Sequence, residues 1–137
     1  MSLTVTQARN EMTAMVAAAL PVDTIAFDDL PGKVPDTMTS WYRLTIRHSD
    51  GEQETLADAT GKKRFLRQGL LTVQIFTPVG GGLSIADESV KMILDIFEGK
   101  ASAGGIWFRN ARFREIGAEG DFFQTNVLVD FQYTETK

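Results

Sequence analysis

Cysteine is absent from the 137 residues. Disulfides, thiolate nucleophiles and cysteine-ligated zinc are therefore excluded, and the composition agrees with assembly in a reducing cytoplasm. Histidine is nearly absent too. His48 is the single imidazole, so a zinc site would have to be completed by carboxylates alone, a poor match to that metal. Long apolar runs are missing as well. Met15 to Leu20 and Leu70 to Phe76 are the longest, well short of the roughly 20 residues that cross a bilayer. Met1 to Glu11 is polar with only Arg9 as a basic residue, so neither a signal peptide nor a membrane partner is expected. Nor is there a basic excess. A net charge of -4 favours solubility and disfavours a general nucleic-acid coat.

What is present is enough apolar material, 43% with nine Phe, two Tyr and two Trp, for the core of one domain over residues 1–137. Val5, Ala8, Met12, Met15, Val16 and Ala19 recur at helical spacing and predict a helix over about Val5 to Leu20. Thr4 and Gln7 fit a capping box, and Pro21 closes the far end. Pro21 to Ser40, rich in turn formers, reads as an irregular connection around an extended Ile25 to Phe27.

From Trp41 the period becomes two, with Tyr42, Leu44 and Ile46 on one side and Arg43, Thr45 and Arg47 on the other. His48-Ser49-Asp50-Gly51 predicts a turn, with Glu52 to Leu56 returning as an antiparallel partner. Leu70 to Thr77 reads as a central strand, with Leu71, Val73 and Ile75 on one face. Pro78 ends it, Gly80 to Gly82 form a link, and Ser84 is expected to cap a helix bearing Ile85, Ala86, Val90, Ile93, Leu94 and Phe97, stopped by Gly99. Ile106 to Ile116 predicts an irregular strand. The turn Gly117-Ala118-Glu119-Gly120 leads into Phe122 to Tyr133, whose Phe123, Val127, Val129, Phe131 and Tyr133 alternate with Gln124, Asn126, Asp130 and Gln132. The order implies an α+β single domain, a mostly antiparallel twisted sheet packed against two helices.

Chemistry-bearing patterns are sparse. His48-Ser49-Asp50 holds the residue types of a hydrolase triad, but neighbouring side chains on a strand diverge, so a solvated turn is the better reading and His48→Ala is expected to leave fold and function intact. Asp28-Asp29, Asp58 and Asp121 read as turn carboxylates rather than a magnesium site. Gly80-Gly81-Gly82 lacks the lysine of a phosphate loop, and Asp87 and Glu88 would repel an anion there. No catalytic, metal or cofactor site is assigned. Lys62, Lys63, Arg64 and Arg67 are the densest basic cluster, with Arg109, Arg112 and Arg114 a second. The first is taken as a subunit or tube contact, because exposed charge steers association more than it stabilises a fold. Reversing Arg64 and Arg67 to Glu is accordingly expected to leave the melting temperature nearly unchanged. Trp41 is assigned to the core.

Three segments together resemble the phage tail-terminator-like family: Trp41-Tyr42-Arg43-Leu44; Gly69-Leu70-Leu71-Thr72-Val73-Gln74-Ile75-Phe76-Thr77-Pro78-Val79-Gly80-Gly81-Gly82 with its following helix; and Asn126-Val127-Leu128-Val129-Asp130-Phe131-Gln132-Tyr133. The resemblance spans about Ile25 to Tyr133. It implies a structural virion protein, not an enzyme and without a cofactor, assembled in the bacterial host cytoplasm. Its subunits would ring the finished tail tube as a hexamer, about six copies, stop tube polymerisation and offer the head-joining surface. The implied partners are further copies of the chain, the tail-tube protein and a head-completion or connector protein, with no specific nucleic acid. Two other readings remain open: another head-tail connector, tail-tube or baseplate component of related fold, and a small-ligand-binding or hydrolytic α+β domain with a pocket between helices and sheet using His48 and a distant aspartate.

Overall fold

The computed structural model describes residues 3–20, 25–27, 40–53, 61–80 and 83–137. Helix α1 (Val5–Ala19) is followed by β1 (Ile25–Phe27), β2 (Trp41–Gln53), β3 (Arg64–Pro78), α2 (Ser84–Phe97), β4 (Trp107–Glu119) and β5 (Phe122–Thr136). These strands form one sheet in the order β1-β2-β3-β5-β4. Among them only the β1–β2 pair is parallel. The α+β class and the mostly antiparallel sheet expected from the sequence are thus what the chain adopts.

The centre is the β3–β5 ladder, paired without interruption from Arg64↔Thr136 to Pro78↔Phe122. Mutual backbone bonds between Lys63 and Lys137, at 2.7 and 2.9 Å, extend it by one further pair. Alternation places Leu71, Val73, Ile75, Val127, Val129 and Phe131 on one face, all essentially without solvent contact. Both helices lie on that face. From α1 come Ala8, Met12 and Val16, one turn apart, and from α2 come Val90, Ile93 and Phe97. The core is therefore a single layer between sheet and helices.

Local signals account for most of the boundaries. The Thr4 hydroxyl accepts from Gln7 N at 3.2 Å while Gln7 Oε1 accepts from Thr4 N at 2.9 Å, the reciprocal capping box expected. Helix α1 is then tied down on two sides: Arg9 Nη1 donates to the Ile46 carbonyl at 2.8 Å, and Glu11 Oε1 accepts from Gly104 N at 2.6 Å. Gly99, at φ +67°, follows the end of α2 as anticipated.

Four expectations are corrected. No turn forms at Asp50-Gly51. Strand β2 instead runs on to Gln53, pairs with β3 throughout, and absorbs Ser49 as a bulge between His48↔Gly69 and Asp50↔Gln68. The reason is Gly69, whose missing side chain lets β2 approach; a Cβ there would meet the Arg47 carbonyl, with His48 Cα at 2.8 Å and Phe131 Cζ at 2.7 Å. Asp-Gly, a local turn signal, is overridden by a longer-range pairing. Ser84 does not cap α2; Leu83 holds that position and makes no side-chain capping bond. Ile85, assigned to the apolar face of α2, is exposed, because it lies about 100° round the helix from Ala86. The β4–β5 turn is tighter than expected, with Glu119 paired to Phe122 across Gly120-Asp121. Of the expected irregular connection, residues 21–24 and 28–39, with Asp28 and Asp29 among them, lie outside the described residues, as do Asp58, Gly81 and Gly82.

Two substitutions test this account of the core. Phe131→Ala is expected to lower unfolding free energy by about 3–5 kcal/mol, since transfer and cavity costs add. Gly69→Ala is expected to cost about 1–3 kcal/mol through overpacking. Chemical denaturation measures both, and a Gly69→Ala protein as stable as wild type would remove the proposed reason for the bulge.

Candidate functional site

The sequence-assigned interface residues occupy the far end of the β3–β5 ladder. Lys62, Lys63 and Arg64 are exposed there. Arg67 differs. Its Nε and Nη2 donate to Glu135 Oε1 at 3.2 and 3.1 Å, with both side chains mostly covered. Its guanidinium also sits 5.4 Å from the centre of the Phe65 ring, as does Lys137 Nζ. Arg67 is therefore bonded within its own chain. The expectation that reversing it would spare the fold is revised: Arg67→Glu would set a second carboxylate against Glu135 in a poorly solvated place.

His48 is also not a solvated turn residue. It lies on β2, half-buried, and joins three elements. Arg9 Nη2 from α1 approaches Nδ1 at 3.5 Å, and Nε2 lies 2.7 Å from the Tyr133 hydroxyl on β5. A guanidinium can only donate, so this network assigns Nδ1 as acceptor and Nε2–H as donor to Tyr133 Oη. The ring stands edge-on to Phe131 and Tyr133, 5.2 and 5.7 Å between centres. Burial, then the charges of Arg9 and Arg67, hold the imidazole below its ordinary 6.5, while burial first and Glu135 second raise the Tyr133 phenol. No carboxylate bonds to His48 among the described residues, and none of their His, Asp and Glu side chains group into a potential metal site. The arrangement is a neutral hydrogen-bonded brace between α1, β2 and β5.

A third feature was not anticipated as a site. On the helix-free face, a cavity of about 250 Å³ is lined by Ser49, Gln68, Leu70, Arg109, Arg112 and Asp130. It sits between two irregularities, the β2 bulge and a break in β4 pairing between Arg109 and Arg112. Asn110, at φ +55°, lies within that break, and its side-chain amide donates to Asp130 Oδ2 at 3.1 Å. Arg112 Nη1 reaches Asp130 Oδ1 at 3.4 Å and the Asn110 carbonyl at 2.8 Å. Arg109 Nη2 makes a long contact, 3.5 Å, to Gln68 Oε1. The sequence carried the arginines but not their meeting with Ser49 and Gln68, which depends on strand order.

The tryptophans part company. Trp41 is buried as expected, but outside the main core. It stacks on Phe76 at 4.0 Å on the helix-free face, with the Arg43 guanidinium 5.4 Å from its ring. Trp107, on the edge strand β4, is 65% exposed, and Phe113 and Ile116 on the same strand are also exposed.

Two measurements test these assignments. The unfolded chain accepts a proton at His48 more readily than the folded one. That contribution is complete above pH 6.5, is lost as pH falls from 6.5 to the lowered folded value, and levels below it. His48→Gln, which cannot titrate, is expected to flatten stability against pH from about 7 to about 5 relative to wild type; an unchanged slope would exclude His48 as its source. His48→Ala, which strands the Tyr133 hydroxyl, is expected to cost about 1–2 kcal/mol. Arg67→Glu is expected to lower stability by about 1–3 kcal/mol, and a melting curve equal to that of wild type would contradict the role given to the Arg67–Glu135 pair.

No protein-family model matches the chain, and no curated protein does. Eight chains of solved structures match. One aligns with a TM-score of 0.63 over 90% of this chain and 94% of its own, at 14% sequence identity. At that identity the likeness shows a shared fold: the whole two-layer domain recurs in a protein with few residues in common.

Proposed function

We propose that this chain is a tail terminator subunit of a long-tailed bacteriophage. About six copies ring the finished tail tube, end its polymerisation and present the surface to which the head is joined. The role is structural, without turnover or cofactor. The chain works in the virion after assembly in the host cytoplasm, with further copies of itself, the tube protein and a head-completion or connector protein as partners.

The observation that carries this reading is where the family-like segments lie. Trp41–Leu44, 69–82 and 126–133 are distant in sequence, yet their strand portions fall on the adjacent strands β2, β3 and β5. Trp41 pairs with Phe76 and Val73 with Val127, and Pro78 hands β3 over towards α2. The resemblance therefore concerns one continuous structural unit rather than three isolated strings. Strand β4 adds a suitable contact surface: it is long, is paired among the described strands only with β5, and exposes Trp107, Phe113 and Ile116. Exposed aromatic residues on a sheet edge are the material of subunit contacts. Lys62, Lys63 and Arg64, exposed at the tip of the ladder, are proposed as part of a subunit or tube contact.

Deleting the gene from its phage and viewing lysates by electron microscopy tests the proposal. Abnormally long, headless tubes are expected, corrected by supplying the wild-type chain. Tails of normal length with heads attached, in the deletion lysate, would end the terminator reading.

A further inference from the structure

The net charge of -4 conceals a separation of charge between the two sides of the domain. Residues of β5 that face the helices, Val127, Val129 and Phe131, alternate with Asn126, Leu128 and Asp130 on the helix-free face. The register pairs Arg109 with Asp130, Arg112 with Leu128 and Arg114 with Asn126, so all three arginines belong to that free face. Trp107, paired with Gln132, joins them. Arg109 and Arg114 are exposed; Arg112 is held by Asp130.

The opposite side is acidic. Helix α2 buries Ala86, Val90, Ile93 and Phe97, which leaves Asp87, Glu88, Asp95 and, just past its end, Glu98 exposed along the outer surface. Lys91 is the one cation within α2 and is taken up by Asp95 at 2.8 Å. From Asp87 to Glu98 the helix rises about 16 Å. With its bulge, β4 from Arg109 to Arg114 runs alongside Asp130 to Asn126 of β5, about 13 Å. The two bands are similar in length and opposite in sign. Within one chain they cannot meet, because the sheet lies between them.

We infer that the arginine strip of β4 docks on the acidic outer surface of α2 in a second copy of this chain. The contact is heterologous, since each copy offers a different surface, and it leaves one surface of each kind open for the next copy. Trp107 supplies an apolar anchor beside the charges. On α2, exposed Ile85 and Met92 lie two turns apart on one flank of the acidic band and can receive it. The inference rests on the ring reading for its setting, and names the surfaces through which neighbours join. Nucleic acid is the less suitable occupant. Asp130 would oppose a phosphate beside Arg112, and Trp41 and Phe76 on this face are stacked on each other under Arg43, which leaves Trp107 as the one open ring beside the strip among the described residues.

Sedimentation velocity of the full chain, over a concentration series at low and high salt, tests the contact. Wild type is expected to self-associate, less so as salt rises. Arg109→Glu with Arg114→Glu, and separately Asp87→Lys with Glu98→Lys, are each expected to weaken association on the order of 100-fold at unchanged melting temperature. Mixing the two variants should restore it, because each then meets a surface of opposite sign. If a double variant fails to fold, Arg114→Gln and Glu98→Gln serve instead, each expected to weaken association on the order of 10-fold. A wild-type chain that stays monomeric at low salt and the highest attainable concentration overturns the inference, as does one that binds DNA but not itself. Unweakened association of the reversed variants also overturns it, yet leaves a ring built on some other contact. The tail-length phenotype decides the terminator reading separately.

Discussion

Everything in this domain is referred to the pairing of β3 with β5. Two 15-residue strands bonded along their whole length make a rigid two-strand ribbon. Their inward side chains are the layer on which both helices settle. One flank receives β2 and the other β4, so the depth of the core and the position of each candidate site follow from this one register. A slip of β5 by one residue against β3 would turn Val127, Val129 and Phe131 outward and bring Asn126, Leu128 and Asp130 in. Burial of the first set against α1 and α2 opposes that slip.

Where the ribbon meets its neighbours, small departures from regular geometry carry polar groups into position. Gly69 lets β2 come close enough for its bulge, and His48 beside the bulge reaches both Arg9 and Tyr133. An imidazole there costs little while it is neutral, because each ring nitrogen has a partner of the right kind. On the other flank, the irregularity at Asn110 turns β4 so that Asp130 accepts from both Asn110 and Arg112. Both irregularities border the same cavity on the helix-free face.

The two sides of the domain differ in charge. Acidic residues collect on the outer side of α2 and arginines on the free face of β4, a pattern that a single net charge averages away. Arg67, in sequence one of four neighbouring cations, is bound to Glu135, while Lys62, Lys63 and Arg64 are exposed. Proximity in sequence was a poor guide to which cations act together.

Periodicity by itself determined the two helices, the inward sets on β3 and β5, the capping box at Thr4 and the α+β class. These are local consequences of spacing and of backbone bonding within a few residues. Tertiary structure alone decided what depended on a distant partner. Asp50-Gly51 reads as a turn until Arg67 and Gln68 pair opposite it, and His48 reads as solvated until Tyr133, 85 residues away, lies against it. Arg109, Arg112 and Arg114 become a strip opposed to the acidic helix only because β4 pairs beside β5. Each cross-strand pair contributes roughly 0.2–1 kcal/mol, so a pairing repeated along the strand outweighs a single two-residue turn signal. Local pattern therefore specifies the elements, while pairing across long sequence distances specifies which side chains meet.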